Sequence, residues 1–156
     1  MLKIIGLGNE LYGDDGIGSK IVSKLRQYAH QIPAELIYAG NDGFIVLDCL
    51  LQPEPVIIID CARMGKKPGS IKKFKSGQIQ AGWTSDFISL HGLGLGEILT
   101  LVKELGRDAE YTIIGIEPKT VAFNTDLSEE ISRKIPAVID LVMEEIEKYD
   151  KKSINH

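Results

Sequence analysis

Three side chains far apart in sequence carry the chemistry this chain could perform: Asp15, Asp60 and His91. Two carboxylates and an imidazole form a mixed oxygen and nitrogen donor set. Such a set suits a borderline divalent cation, with zinc or nickel ahead of magnesium. Three protein ligands also leave positions open for water or substrate, as catalytic rather than closed structural sites do. Each residue has a plainer reading beside this one. Within Gly6-Leu7-Gly8-Asn9-Glu10-Leu11-Tyr12-Gly13-Asp14-Asp15-Gly16-Ile17-Gly18, one acid can cap the helix that follows while the other favours its positive end. Capping accounts for one carboxylate better than for two, and it leaves the flanking glycines, which permit a sharp turn and close approach, unexplained. The expectation is that Asp14 caps and Asp15 faces inward as a ligand.

Asp60 follows four consecutive β-branched residues, Val56-Ile57-Ile58-Ile59, so its backbone belongs to a strand in the sheet interior. A carboxylate there costs several kcal/mol unless it is paired, protonated or bound to a metal. The alternative is an acid that has just emerged into solvent and bonds the turn at Cys61-Ala62. His91 lies in Ser89-Leu90-His91-Gly92-Leu93-Gly94-Leu95-Gly96-Glu97, a glycine-spaced lead into a helix. His30 closes the first helix and His156 is the last residue, so neither competes with it. Cys61 reads as a small buried side chain, because no polar neighbour in sequence activates its thiol.

The elements that must position these residues alternate. Strands are expected at Leu2–Leu7, Glu35–Ala39, Pro55–Asp60, Ser70–Phe74 and Tyr111–Ile116. Helical spacing recurs in Ile17, Ile21, Val22, Leu25 and Tyr28, and again in Ile98, Leu99, Leu101, Val102 and Leu105. A further helix runs through Ile131, Ile135, Val138, Ile139, Val142 and Ile146, and a shorter one through Gly43–Leu51. This pattern predicts an α/β three-layer sandwich: a mainly parallel sheet of about five strands with helices on both faces. Ser70–Phe74 follows Asp60 too closely for a helical crossover and is expected antiparallel at an edge. In such sheets ligands bind beyond the carboxyl ends of the strands, where Asp15, Asp60 and His91 would meet.

With 156 residues, 44% hydrophobic and 26% charged, the chain fits one domain, expected over residues 1–149, with a frayed polar tail at 150–156. A net charge of −4 argues against nucleic acid. No apolar run approaches the roughly 18 residues of a membrane span, and no leader opens the chain. Two cysteines make no disulfide framework, so a cytoplasmic setting is expected. The lysines of 66–75 read as a solvated, aggregation-resistant edge, or else as a docking surface for an acidic partner.

The first motif, the strand ending in Asp60, and Ser89-Leu90-His91-Gly92-Leu93-Gly94-Leu95 together resemble the nickel-iron hydrogenase maturation endopeptidases. Ile114-Gly115-Ile116-Glu117-Pro118 and Leu127-Ser128 fit the same pattern, so the resemblance spans nearly the whole domain. It implies an aspartic-type cytoplasmic endopeptidase that removes the C-terminal extension of the hydrogenase large-subunit precursor after nickel insertion. It also implies metal contacts at Asp15, Asp60 and His91, in agreement with the set read from the residues. The nickel would be carried by the substrate; zinc or cadmium could substitute. Asp60 is the catalytic candidate. Where many members carry Gly-Gly-Thr-x-Gly, this chain has Gly40-Asn41-Asp42-Gly43, so Asn41 replaces the threonine and Asp42 adds a carboxylate nearby. Competing readings are a non-enzymatic nickel-sensing metallochaperone, a peptidyl-tRNA-hydrolase-like enzyme sharing the Gly-Leu-Gly-Asn start, and a dinucleotide-binding module. Acids at the helix start would repel a pyrophosphate, and no third glycine stands at the needed spacing.

Overall fold

A computed structural model of the protein describes residues 1–78, 88–89 and 94–155. Apolar runs become strands β1 (Leu2–Leu7), β2 (Ala34–Gly40), β3 (Val56–Arg63), β4 (Ile71–Lys75), β5 (Ile88–Ser89) and β6 (Tyr111–Ile116). Amphipathic stretches become helices α1 (Ile17–Arg26), α2 (Gly43–Leu51), α3 (Leu95–Glu104), α4 (Glu129–Ser132) and α5 (Ile135–Ile154). The main sheet has the order β2-β1-β3-β6-β4. Its first four strands are parallel, and β4 runs antiparallel to β6 at the edge. The expected α/β architecture and the orientation of the edge strand are both observed.

Strand alternation divides the core. Ile57, Ile59 and Cys61 of β3 pack with Ile17, Ile21 and Leu25 of α1 and with Val138, Val142 and Ile146 of α5. Val56, Ile58 and Ala62 pack on the opposite face with Val46 and Leu50 of α2 and with Leu95 and Ile98 of α3. β3, central and covered on both sides, has seven successive buried residues from Val56 to Ala62.

Three boundaries differ from expectation. β3 does not stop at Asp60; it continues to Arg63 because β5 adds antiparallel to its end, pairing Ser89 with Ala62 and Ile88 with Arg63. The single helix expected from Ile131 onward is two, since Pro136 opens a new first turn, the one place where its missing N–H costs nothing. The tail is helical as far as Ile154 rather than frayed from 150. Tyr149 fastens it: the ring is buried and its hydroxyl lies 3.3 Å from Thr112 Oγ1.

The lysine run also acquires a specific role. Lys73 and Lys75 project from one face of β4 and donate to the fully buried carboxylate of Glu145 on α5, at 2.7 and 2.9 Å. Lys148 adds a third bond at 2.9 Å. Neither a merely solvated edge nor a docking surface describes these two strand residues. Burial alone would raise the Glu145 carboxyl, but the lysine hydrogen bonds outweigh it and hold it at about 2, below the ordinary 4.5. A folded value below the unfolded one means stabilisation that is complete above 4.5 and lost as pH falls toward 2. Glu145→Gln should therefore cost about 2–3 kcal/mol near neutral pH. In urea unfolding, the gap from wild type should narrow as pH drops from about 5 to 2; a gap constant with pH would contradict this role.

Candidate active site

The turn after β1 is built by close backbone approach. Gly8 has φ 131°, and a Cβ there would stand 1.9 Å from the carbonyl oxygen of Asp15. A Cβ on Gly18 would stand 2.4 Å from the carbonyl oxygens of both Leu7 and Ile59. The first turn of α1 thus lies directly on the backbones of β1 and β3, next to Asp60. Ser19, fully buried, donates from Oγ to the Gly8 carbonyl at 3.0 Å and locks this contact.

Residues 13–16 form a 3-10 turn ahead of α1 with both acids buried. The acids divide their work differently from expectation. Asp14 caps no helix: neither the 3-10 turn nor α1 has a side-chain cap bond. Its carboxylate instead receives the distant segment between β6 and α4. Oδ2 accepts from the backbone N–H groups of Lys119 and Thr120, both at 2.9 Å, and from Ser128 Oγ at 2.8 Å. Oδ1 accepts from the Ser128 N–H at 2.7 Å. Four charge-assisted bonds compensate a fully desolvated carboxylate. Asp15 stays near its own turn, with Oδ2 accepting from the Asn9 N–H at 3.0 Å.

Asp60 is fully buried on β3, opposite Gly115 of β6. The alternative in which it emerges into solvent is thereby removed. Alternation sets it on the face shared by Ile58 and Ala62, where α2 and α3 pack. Next to it, burial pushes the Cys61 thiol up, and the carboxylates of Asp60, Asp15 and Asp14 push it the same way. Cys61 is therefore a poor nucleophile, as its sequence setting suggests. The 13–16 turn packs against β3, the strand that carries Asp60. His91, the third expected donor, lies outside the described residues. Among the described residues no three His, Cys, Asp or Glu side chains gather to hold an ion.

Two further carboxylates border this edge. Asp42 is engaged as the N-cap of α2, accepting from the Phe44 N–H at 3.0 Å. Glu117, buried at the end of β6, accepts from the Met64 N–H just beyond β3. Sequence reasoning had placed Glu117 and Ser128 in motifs without roles; the signal available was a polar residue directly after a buried strand and a serine just ahead of a helix.

The family model for hydrogenase maturation proteases matches residues 19–145, a span that includes Asp60 and His91 and begins just after Asp15. The chain belongs to the hydrogenase maturation protease family. A Methanocaldococcus jannaschii relative that carries the family's name is 34% identical, aligned over 94% of this chain and 88% of its own length. The fold is similar to the hydrogenase maturating endopeptidase HybD from Escherichia coli, with a TM-score of 0.79 and 25% identity over 95% of this chain and 93% of that one. It is also similar to the [NiFe] hydrogenase maturation protease HybD from Thermococcus kodakarensis, at TM-score 0.72 and 28% identity over 92% of this chain and 97% of that one. The protein is accordingly a peptidase of the hydrogenase maturation type. Among the described residues of this protease, no helix is long and apolar enough to cross a membrane.

The Asp14 clamp makes a separable prediction. Asp14→Ala strands four donors and should destabilise the protease by about 3–5 kcal/mol in equilibrium denaturation. Amide exchange should quicken first at Lys119, Thr120 and Ser128. A loss below about 1 kcal/mol would show that those donors find other partners.

Proposed function

We propose that this protease removes the C-terminal extension of a nickel-iron hydrogenase large subunit once nickel has been inserted, recognising that nickel through Asp15, Asp60 and His91. The observation that carries the reading is the complete burial of Asp60 near the carboxyl edge of a parallel sheet, on the strand against which the turn holding Asp15 packs. His91 enters by chain path. Ser89 pairs with Ala62, two residues beyond Asp60, and His91 follows Ser89 by two residues in the sequence. The helix it leads into, α3, packs on the same face of the sheet as Asp60.

The metal arrives as part of the substrate. Asp15, Asp60 and His91 complete its coordination and fix the scissile bond beside it, so an unloaded precursor leaves these three residues nothing to coordinate and its scissile bond is not positioned. Nickel polarises the scissile carbonyl and acidifies a water. Asp60 accepts a proton as the water oxygen bonds to the carbonyl carbon, and returns it to the leaving nitrogen as the C–N bond breaks. His91 orients the ion, its other ring nitrogen held by a neighbouring acceptor. The reaction belongs in a reducing cytoplasm, in keeping with two buried free thiols, Cys49 and Cys61. Nucleic acid plays no part in it, in keeping with a net charge of −4.

Asp60→Asn keeps the shape of the side chain and should lower tail removal from a nickel-loaded precursor by at least about 100-fold while the variant stays folded by circular dichroism. The shift in precursor mass on a gel reads this directly. Undiminished cleavage by the folded variant would defeat the assignment. Wild type should process the nickel-loaded precursor and leave the nickel-free one intact, whereas a metallochaperone would bind the loaded form and leave its tail in place.

A further inference from the structure

Large apolar side chains stand exposed beside the acids with no partner that explains them. Phe123 is 80% exposed, Leu11 50% and Tyr12 44%. Tyr12 and Phe123 meet edge to face, with ring centroids 6.2 Å apart. Such a pair on a loose loop would mean little, but these rings are held in place. The Asn124 N–H donates to Leu11 O at 2.8 Å, the Gly13 N–H to Asn124 O at 2.7 Å, and the Asp14 N–H to Thr120 O at 3.0 Å. Asp14 then grips the same loop with its four side-chain bonds. The Asp15 N–H in turn donates to Tyr12 O at 3.2 Å, joining the aromatic pair to the metal-facing acid through one peptide. A buried carboxylate is thus used to hold two exposed rings at a fixed place on the rim of the active site.

We infer that Leu11, Tyr12 and Phe123 form an apolar anchor for the folded hydrogenase large-subunit precursor, on its surface next to the scissile segment. This rests on the function proposed above and names where the partner docks. Rigid aromatics carry much of the binding energy in interfaces because little entropy is lost when they are covered. Among the described residues, these three side chains alone fall far short of the roughly 800 Å² per partner that a stable self-association interface requires. Beside a site that already contacts the same partner, they need to supply only part of that area.

The test is steady-state cleavage of the nickel-loaded precursor by the full-length protease, comparing wild type, Tyr12→Ala, Phe123→Ala and Asp60→Asn. Because the rings are exposed, both alanine variants should melt with wild type. Each should raise KM by about tenfold, with kcat within about twofold, the pattern of lost ground-state binding. Unchanged KM in both alanine variants while Asp60→Asn is inactive would overturn the anchor and leave the proposed reaction standing. Full activity in Asp60→Asn would instead remove the reaction itself. A wild-type dimer in sedimentation that Phe123→Ala dissolves would assign the patch to a second copy and likewise overturn the anchor.

Discussion

Helix α1 reaches the sheet because no side chain stands between them. Gly18 sets its α-carbon against the carbonyls of Leu7 and Ile59, and Gly8 sets its own against Asp15. Any Cβ at either position would collide with backbone, which has no rotamer through which to yield. The contact fixes the 13–16 turn relative to β3 and so brings the carboxylate of Asp15 into the neighbourhood of Asp60. Without it the chain would still be an α/β sandwich, but its two acids would have no defined relation. The contact is also where the helix gives up side-chain packing, and Ser19 with the Asp14 bonds offset that loss.

Two adjacent acids serve opposite purposes here. Asp14 is satisfied by four donors from one segment and belongs to the architecture. Asp15 accepts from the Asn9 N–H within its own turn, which packs against β3. Glu145 on α5 shows a third solution, where three lysines neutralise one buried carboxylate. Each is a desolvated charge, and each needs a compensating partner. At the active site, Asp15 and Asp60 are the acids proposed to receive the substrate's nickel.

The layers and strand order of this fold were legible because periodicity reports burial. Ile57-Ile58-Ile59 can only be a strand covered on both faces, and the short link after it forbids a crossover. Less legible was anything decided by tertiary pairing. Cys61-Ala62-Arg63 has no strong strand pattern alone, and it extends β3 because β6 pairs with Cys61 and β5 with Ala62 and Arg63. The work of Asp14 was hidden for the same reason: its donors lie more than a hundred residues away, and local rules offer only a helix cap. The burial of Asp15 and Asp60 leaves a local trace, since a carboxylate directly after an apolar strand, and another in a glycine-rich turn, are local anomalies. The lysines of β4 misled because an edge strand explains exposed charge, whereas a buried acid on α5 leaves no trace in their own sequence.

The central claim is that one divalent ion is gripped jointly by two acids and an imidazole brought together from three segments. Crystals of the protease soaked in cadmium, a stand-in for the substrate's nickel, test it through anomalous diffraction at the metal edge. The account predicts a single strong peak bonded to Asp15, Asp60 and His91, with the remaining positions held by water. A peak elsewhere, or one that touches the acids while His91 points away, would contradict it.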